Sequence, residues 1–187
     1  MLSIAGNPAW RNMDRVRCLS RALELARATA GAITSAKTVG NVIIKFTGCE
    51  ESATKKCTTP GLAPGELETK KLEGVLGIES ITIKEGKETR HVGLDLYPVG
   101  KTGPFMEYTC TGRAPTTLTG SIIGPAPADK MFTTATVKHA ATAGKQKPER
   151  FEGGEKDVLT NALNEQVGLT DTTTQTNEEA FEINAFF

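Results

Sequence analysis

Histidine, tryptophan and cysteine are scarce in this chain: 187 residues hold two, one and four of them. Any Ser-His-Asp or Cys-His arrangement must therefore recruit His91 or His139. His91 sits in "KEGKETRHVGLDL", a charged turn, and His139 follows "TATVK" at a strand end, so both read as surface or strand-edge side chains. No G-x-S-x-G, H-E-x-x-H, P-loop or dinucleotide glycine fingerprint occurs. Net charge is also lacking, with 22 Lys+Arg against 22 Asp+Glu. A neutral chain without a basic stripe has no field to gather nucleic acid or anionic lipid. Apolar runs stay short of the eighteen or so residues a membrane-spanning helix needs. No cofactor is expected, and no metal.

What is present divides the chain in two: an N-terminal segment over 1–30 and a β domain over 31–187. In the first, Val16, Leu19, Ala22 (or Leu23), Ala26 and Ala30 recur at helical spacing with arginines opposite, and Gly31 supplies a stop. The pattern predicts an amphipathic α-helix over 12–30. Arginines 11, 15, 17, 21 and 27 interrupt every candidate apolar core of an export signal, so the segment does not read as one.

After Gly31, Thr, Val, Ile and Gly dominate, in apolar runs punctuated by turn residues. Strands are expected at 31–37, 40–48, 65–71, 74–84, 92–97, 104–111, 116–123, 131–139 and 179–187. A short helix is expected over 155–167, and "TDTTTQT" at 170–176 reads as a polar linker. "GAITSAKTVGNVII" and "GELETKKLEGVLGI" share glycine, lysine and a final isoleucine at equal offsets, which suggests repeated hairpin-like units. The fold class is mainly β: an antiparallel β-sandwich or partly closed β-barrel with an N-terminal α-helix.

Cys49 and Cys57 stand seven residues apart in "VIIKFTGCEESATKKCTTPG". Structural zinc sites use tighter ligand pairs, and catalytic dithiols use C-x-x-C. A disulfide across a hairpin fits the spacing best, with "EESATKK" as the turn. Elimination then leaves Cys18 and Cys110 for a second bridge.

Other chemistry is thinner. Asp95 and Glu107 fall on neighbouring expected strands, and such a carboxylate pair is the minimum that a glycosidase needs. Glu152, Glu155 and Asp157 surround a glycine pair but lack the alternating pattern of a calcium loop, so a solvated turn is the simpler reading. Tyr97, Phe105 and Tyr108 cluster in "LYPVGKTGPFMEY" as candidate ligand-binding aromatics, for sugar rings or a partner, against a core-filling alternative.

The ordered string "KTVGNVIIKFTGCE…KCTTPGLAPGELETKKLEGVLG", "VGLDLYPVGKTGPFMEYTC" and "LTGSIIGP", with the later "GKQKPERFEGGEKDVL" and "TTTQTNEEAFEIN", resembles uncharacterised exported proteins of actinobacteria. The resemblance spans roughly 31–185 and departs at the arginine-rich front. It implies an extracytoplasmic location and cysteines at the positions of Cys49, Cys57 and Cys110, which favours the disulfide reading, and it carries no activity. The expected function is a non-enzymatic, exported, disulfide-stapled module in structure or recognition, with a cell-envelope component or carbohydrate as partner. The alternatives are an extracytoplasmic hydrolase using a carboxylate pair, a small-ligand-binding β domain, and a cytosolic β domain with reduced cysteines.

Overall fold

A computed structural model describes residues 2–5, 16–18, 32–127 and 131–182. The strands, in chain order, are β1 (Leu2–Ala5), β2 (Val16–Cys18), β3 (Ala32–Ile33), β4 (Thr38–Val42), β5 (Lys45–Phe46), β6 (Cys49–Ser52), β7 (Lys55–Thr58) and β8 (Leu67–Glu68). They continue with β9 (Leu72–Lys84), β10 (Lys87–Pro98), β11 (Pro104–Cys110), β12 (Thr116–Thr119), β13 (Ile122–Pro125), β14 (Met131–Thr142), β15 (Lys145–Lys147) and β16 (Gly168–Glu182). Among the described residues the only helical element is one 3-10 turn at Val99–Lys101.

The strands form a nine-stranded sheet, β12-β11-β7-β6-β2-β1-β16-β14-β15, a five-stranded sheet, β13-β10-β9-β4-β3, and the small pair β5-β8. All pairings between them are antiparallel. One core joins the three: Val16, Phe105 and Leu118 from the first sheet, Leu72, Leu96 and Ile122 from the second, Phe46 and Leu67 from the third. Burying such a side chain contributes about 1.5–3 kcal/mol apiece, so this shared core is what makes the sheets one body.

The mainly β, antiparallel reading holds, but several details change. Val16–Cys18 lies within the expected 12–30 helix and is a strand, with Val16 and Cys18 buried and Arg17 exposed between them. Strand alternation and a disulfide at Cys18 override helical spacing there, and the rest of that stretch lies outside the described residues. Residues 155–167 form turns and isolated bridges in place of a helix. The threonine-rich 170–176 is no linker. It runs inside β16, where β-branched side chains suit a pleated ribbon paired with β14. Residues 183–187 of the expected last strand are outside the described set. The two echoing segments are not repeats in space: β3 pairs with β4, whereas β8 pairs with β5 and β9 with β10.

All four cysteines are bonded, with partners exchanged relative to the expectation: Cys18–Cys49 and Cys57–Cys110, not Cys49–Cys57 and Cys18–Cys110. Each bridge joins residues directly opposite on adjacent antiparallel strands, β2 with β6 and β7 with β11. The pair Glu50↔Lys56 in the β6–β7 hairpin places Cys49 and Cys57 level one step further along. The four sulfurs therefore belong to one row across β2, β6, β7 and β11, and each inner cysteine has a cysteine on either side. Hairpin spacing correctly sets Cys49 beside Cys57, but it does not decide which neighbour each one bonds.

The bridges span 31 and 53 residues of sequence. Closing loops of that size stabilises the fold by about 4 kcal/mol each on the chain-entropy account. Replacing Cys18 and Cys49 by alanine, or Cys57 and Cys110, is expected to lower unfolding free energy by about 2–5 kcal/mol in urea titration.

Candidate functional site

The inner face of the five-stranded sheet carries Leu72, Leu96 and Ile122 into the core. The opposite face of the same strands is also covered. Asp95 of β10 lies there, directly between Val75 of β9 and Ile123 of β13. Two residues along, Gly93 pairs with Gly77 on the same face.

A strap, residues 148–160, closes over this face. A Cβ at Gly77 would collide with Phe151 and the Glu152 carboxylate, and one at Gly120, whose φ is +97°, would collide with the Val158 carbonyl. Glycine is required at both places for the strap to close down. The Ile78 N–H donates to Glu152 Oε1 at 2.6 Å, and the Glu152 N–H donates to the Ile78 carbonyl at 2.9 Å. Thr119 and Thr160 exchange backbone hydrogen bonds of 2.9 and 2.8 Å. Glu149 of the strap takes ion pairs from Lys156 at 2.6 Å and from Lys147, at the end of β15, at 3.1 Å. The hydrogen bond from Lys156, then that from Lys147, holds its carboxyl down at about 2.

Beneath the strap Asp95 meets a second acid. Its side chain is fully buried, and Ser121, also buried, donates its hydroxyl proton to Oδ1 of the half-buried Asp157. Ser121 and Asp157 both act on the Asp95 carboxyl. Neither Asp95 oxygen has a hydrogen-bond partner among the described residues. Burial first, and repulsion from Asp157 second, push Asp95 up to about 7, against opposing pulls from Ser121 and Lys101. Tyr97, on the same face, is half-buried with the Lys101 ammonium 4.5 Å from its ring centroid. Burial, then the charges of Asp95, Glu73 and Asp157, raise its phenol above the ordinary value. The group is thus a buried carboxyl raised toward neutrality beside a second carboxyl, with a phenol and an ammonium at its side.

The expected sites are distributed differently. Asp95 faces Asp157, while Glu107 is half-buried on β11 and bound to Lys70 at 2.6 Å. Phe105 and Tyr108 are core residues, 0% and 6% exposed, so the three aromatics do not share an open surface. His91 is exposed, against the Thr82 hydroxyl at 3.0 Å. His139, expected at a strand edge, is buried within β14, where Gly124 of β13 leaves room for its ring. Glu152 and Asp157 are used by Ile78 and Ser121, Glu155 faces solvent, and no metal-binding group of three such side chains occurs among the described residues. The signal that sequence reading missed is "EKDVL" itself: Asp157, two residues before the buried Leu159, sits in a segment that must pack.

Comparison with family models, curated proteins and solved structures finds no match to this chain.

Unfolded, an aspartate titrates near 3.8, whereas in this fold Asp95 titrates at about 7. Between those values the folded state keeps a proton that the unfolded chain has released, so raising pH across that window lowers stability. The loss is at most about 1.4 kcal/mol per pH unit. Asp95→Asn is expected to flatten this dependence and to raise the melting temperature above pH 7, measured by calorimetry across pH 4–8.

Proposed function

We propose that this chain is an exported β module, stapled by two disulfides, with a structural or recognition role at or outside the cell envelope. The observation that carries the reading is the complete pairing of the four cysteines, with no free thiol left. Bridges of this kind persist in oxidising compartments and are rare where glutathione and thioredoxin act. Both are buried, with cysteine exposures of 0–6%, which suits a permanent staple better than a reactive site. The resemblance of 31–185 to exported actinobacterial proteins supports the same location. No helix among the described residues is long and apolar enough to cross a membrane.

A second reading rests on the acid pair. A buried carboxyl with a raised pKa beside a second carboxyl is the arrangement of a general acid with its partner, and it favours the hydrolase alternative. Asp95 lies under the strap, so substrate would reach it only with the strap lifted. Loss of glycoside turnover in both Asp95→Asn and Asp157→Asn would establish this reading, and absence of turnover in the wild type on a broad panel would remove it.

The primary proposal is tested by blocking thiols in intact producer cells before lysis and counting the blocked cysteines by mass spectrometry. The expected result is none blocked, in protein recovered from the envelope or medium. Four blocked cysteines in cytosolic protein would overturn it.

A further inference from the structure

β9 and β10 are longer than the sheet that holds them. β4 pairs with β9 only up to Val75, and β13 pairs with β10 only from Gly93 to Leu96. Beyond a bulge at His91/Val92 the two strands pair with no third strand among the described residues, and every residue from 80 to 91 is exposed. The result is a two-stranded ribbon with bare edges, an arrangement that invites another strand. Ile81 and Ile83 are 52% and 73% exposed on one of its faces.

The charges on this ribbon have a symmetry of their own. Ile81 lies opposite Arg90 and Ile83 opposite Glu88, so the two isoleucines, Glu88 and Arg90 share a face. Glu88 and Arg90 flank Thr89 on either side and form an ion pair of 2.5 Å. If a second β10 is laid antiparallel along the first about Thr89, each Glu88 meets the other copy's Arg90. Both contacts across the two-fold axis are then attractive. Each of the two symmetry-related rows reads Ile83, Glu88, then Arg90 and Ile81 of the second copy. On the other face Lys87 meets the second copy's His91. The β9 edge lacks this match. Pairing it about Thr82 sets Glu79 against Glu85, and Glu152 already occupies the backbone of Ile78 at its base.

We propose that the β9–β10 ribbon is a homodimerisation element, joining two copies of this chain β10 edge to β10 edge about Thr89. A two-fold contact needs a self-complementary patch, and Glu88-Thr89-Arg90 is one. The same charges repel strands that lack the complement, so an edge closed to strangers stays open to its own copy.

The test uses the full, oxidised chain in sedimentation velocity at low ionic strength and about pH 8, where imidazole is normally uncharged. Wild type is expected to show concentration-dependent dimerisation. Arg90→Glu sets glutamate against glutamate and Glu88→Arg sets arginine against arginine, so each alone should weaken the dimer about tenfold or more. An equimolar mixture of the two variants restores opposite charges across the interface, as does the double exchange E88R/R90E, and both should dimerise again. Thermal melting of each variant checks that the fold is kept. A wild type that stays monomeric to its solubility limit, single variants that associate as wild type does, or a mixture without rescue would each overturn the proposal.

Discussion

Four cysteines in one row across four neighbouring strands are the constraint on which the rest of this fold depends. β2, β6 and β7 are three or four residues long, too short to hold their places by backbone hydrogen bonds alone. Cys18–Cys49 ties β2 to β6, the β6–β7 hairpin carries the chain across, and Cys57–Cys110 ties β7 to β11. The cross-links fix register as well as adjacency, since a one-residue slip would turn every side chain of a strand to the opposite face. Val16, Phe105, Tyr108 and Leu118 can then meet Leu72, Leu96 and Ile122 in a common core.

That division of labour leaves the five-stranded sheet free to differ. It holds together through length, and its two longest strands serve two purposes. Where β10 runs beneath the strap it buries Asp95 against Asp157, and where it leaves the sheet it exposes Glu88 and Arg90 on a free edge. Glu152 touches both regions, since it covers Gly77 and bonds Ile78 at the root of the ribbon. An acid pair that stores a proton under such a strap disfavours the folded state at alkaline pH, so it is kept at a cost in stability, as functional or conformational sites commonly are.

Much of this was legible in the residues, and the failures have specific causes. Apolar runs punctuated by turn residues marked β11 and the 92–97 part of β10, whereas the charged stretch around His91, read as a turn, is the outer half of β10. "CEESATKKC" marked a hairpin because a polar turn divides two buried cysteines. The choice of bonding partner was hidden, because Cys18 and Cys110 reach the row from 31 residues before Cys49 and 53 after Cys57. Arginine and alanine spacing over 12–30 pointed to a helix, yet three residues of alternation around Cys18 decided the structure there. Asp95 was legible as an acid on a strand, but Glu107 drew attention by proximity in sequence. Asp157 arrives from a segment whose turns and isolated bridges carry no periodic signal.

The most direct measurement is the disulfide map of the native, unreduced protein, obtained by acid-quenched proteolysis and mass spectrometry of linked peptides. The account predicts that the peptide containing Cys18 is joined to that containing Cys49, and the peptide of Cys57 to that of Cys110. A Cys49–Cys57 link would contradict it, for then β2 and β11 would lose the bonds that hold them in the sheet.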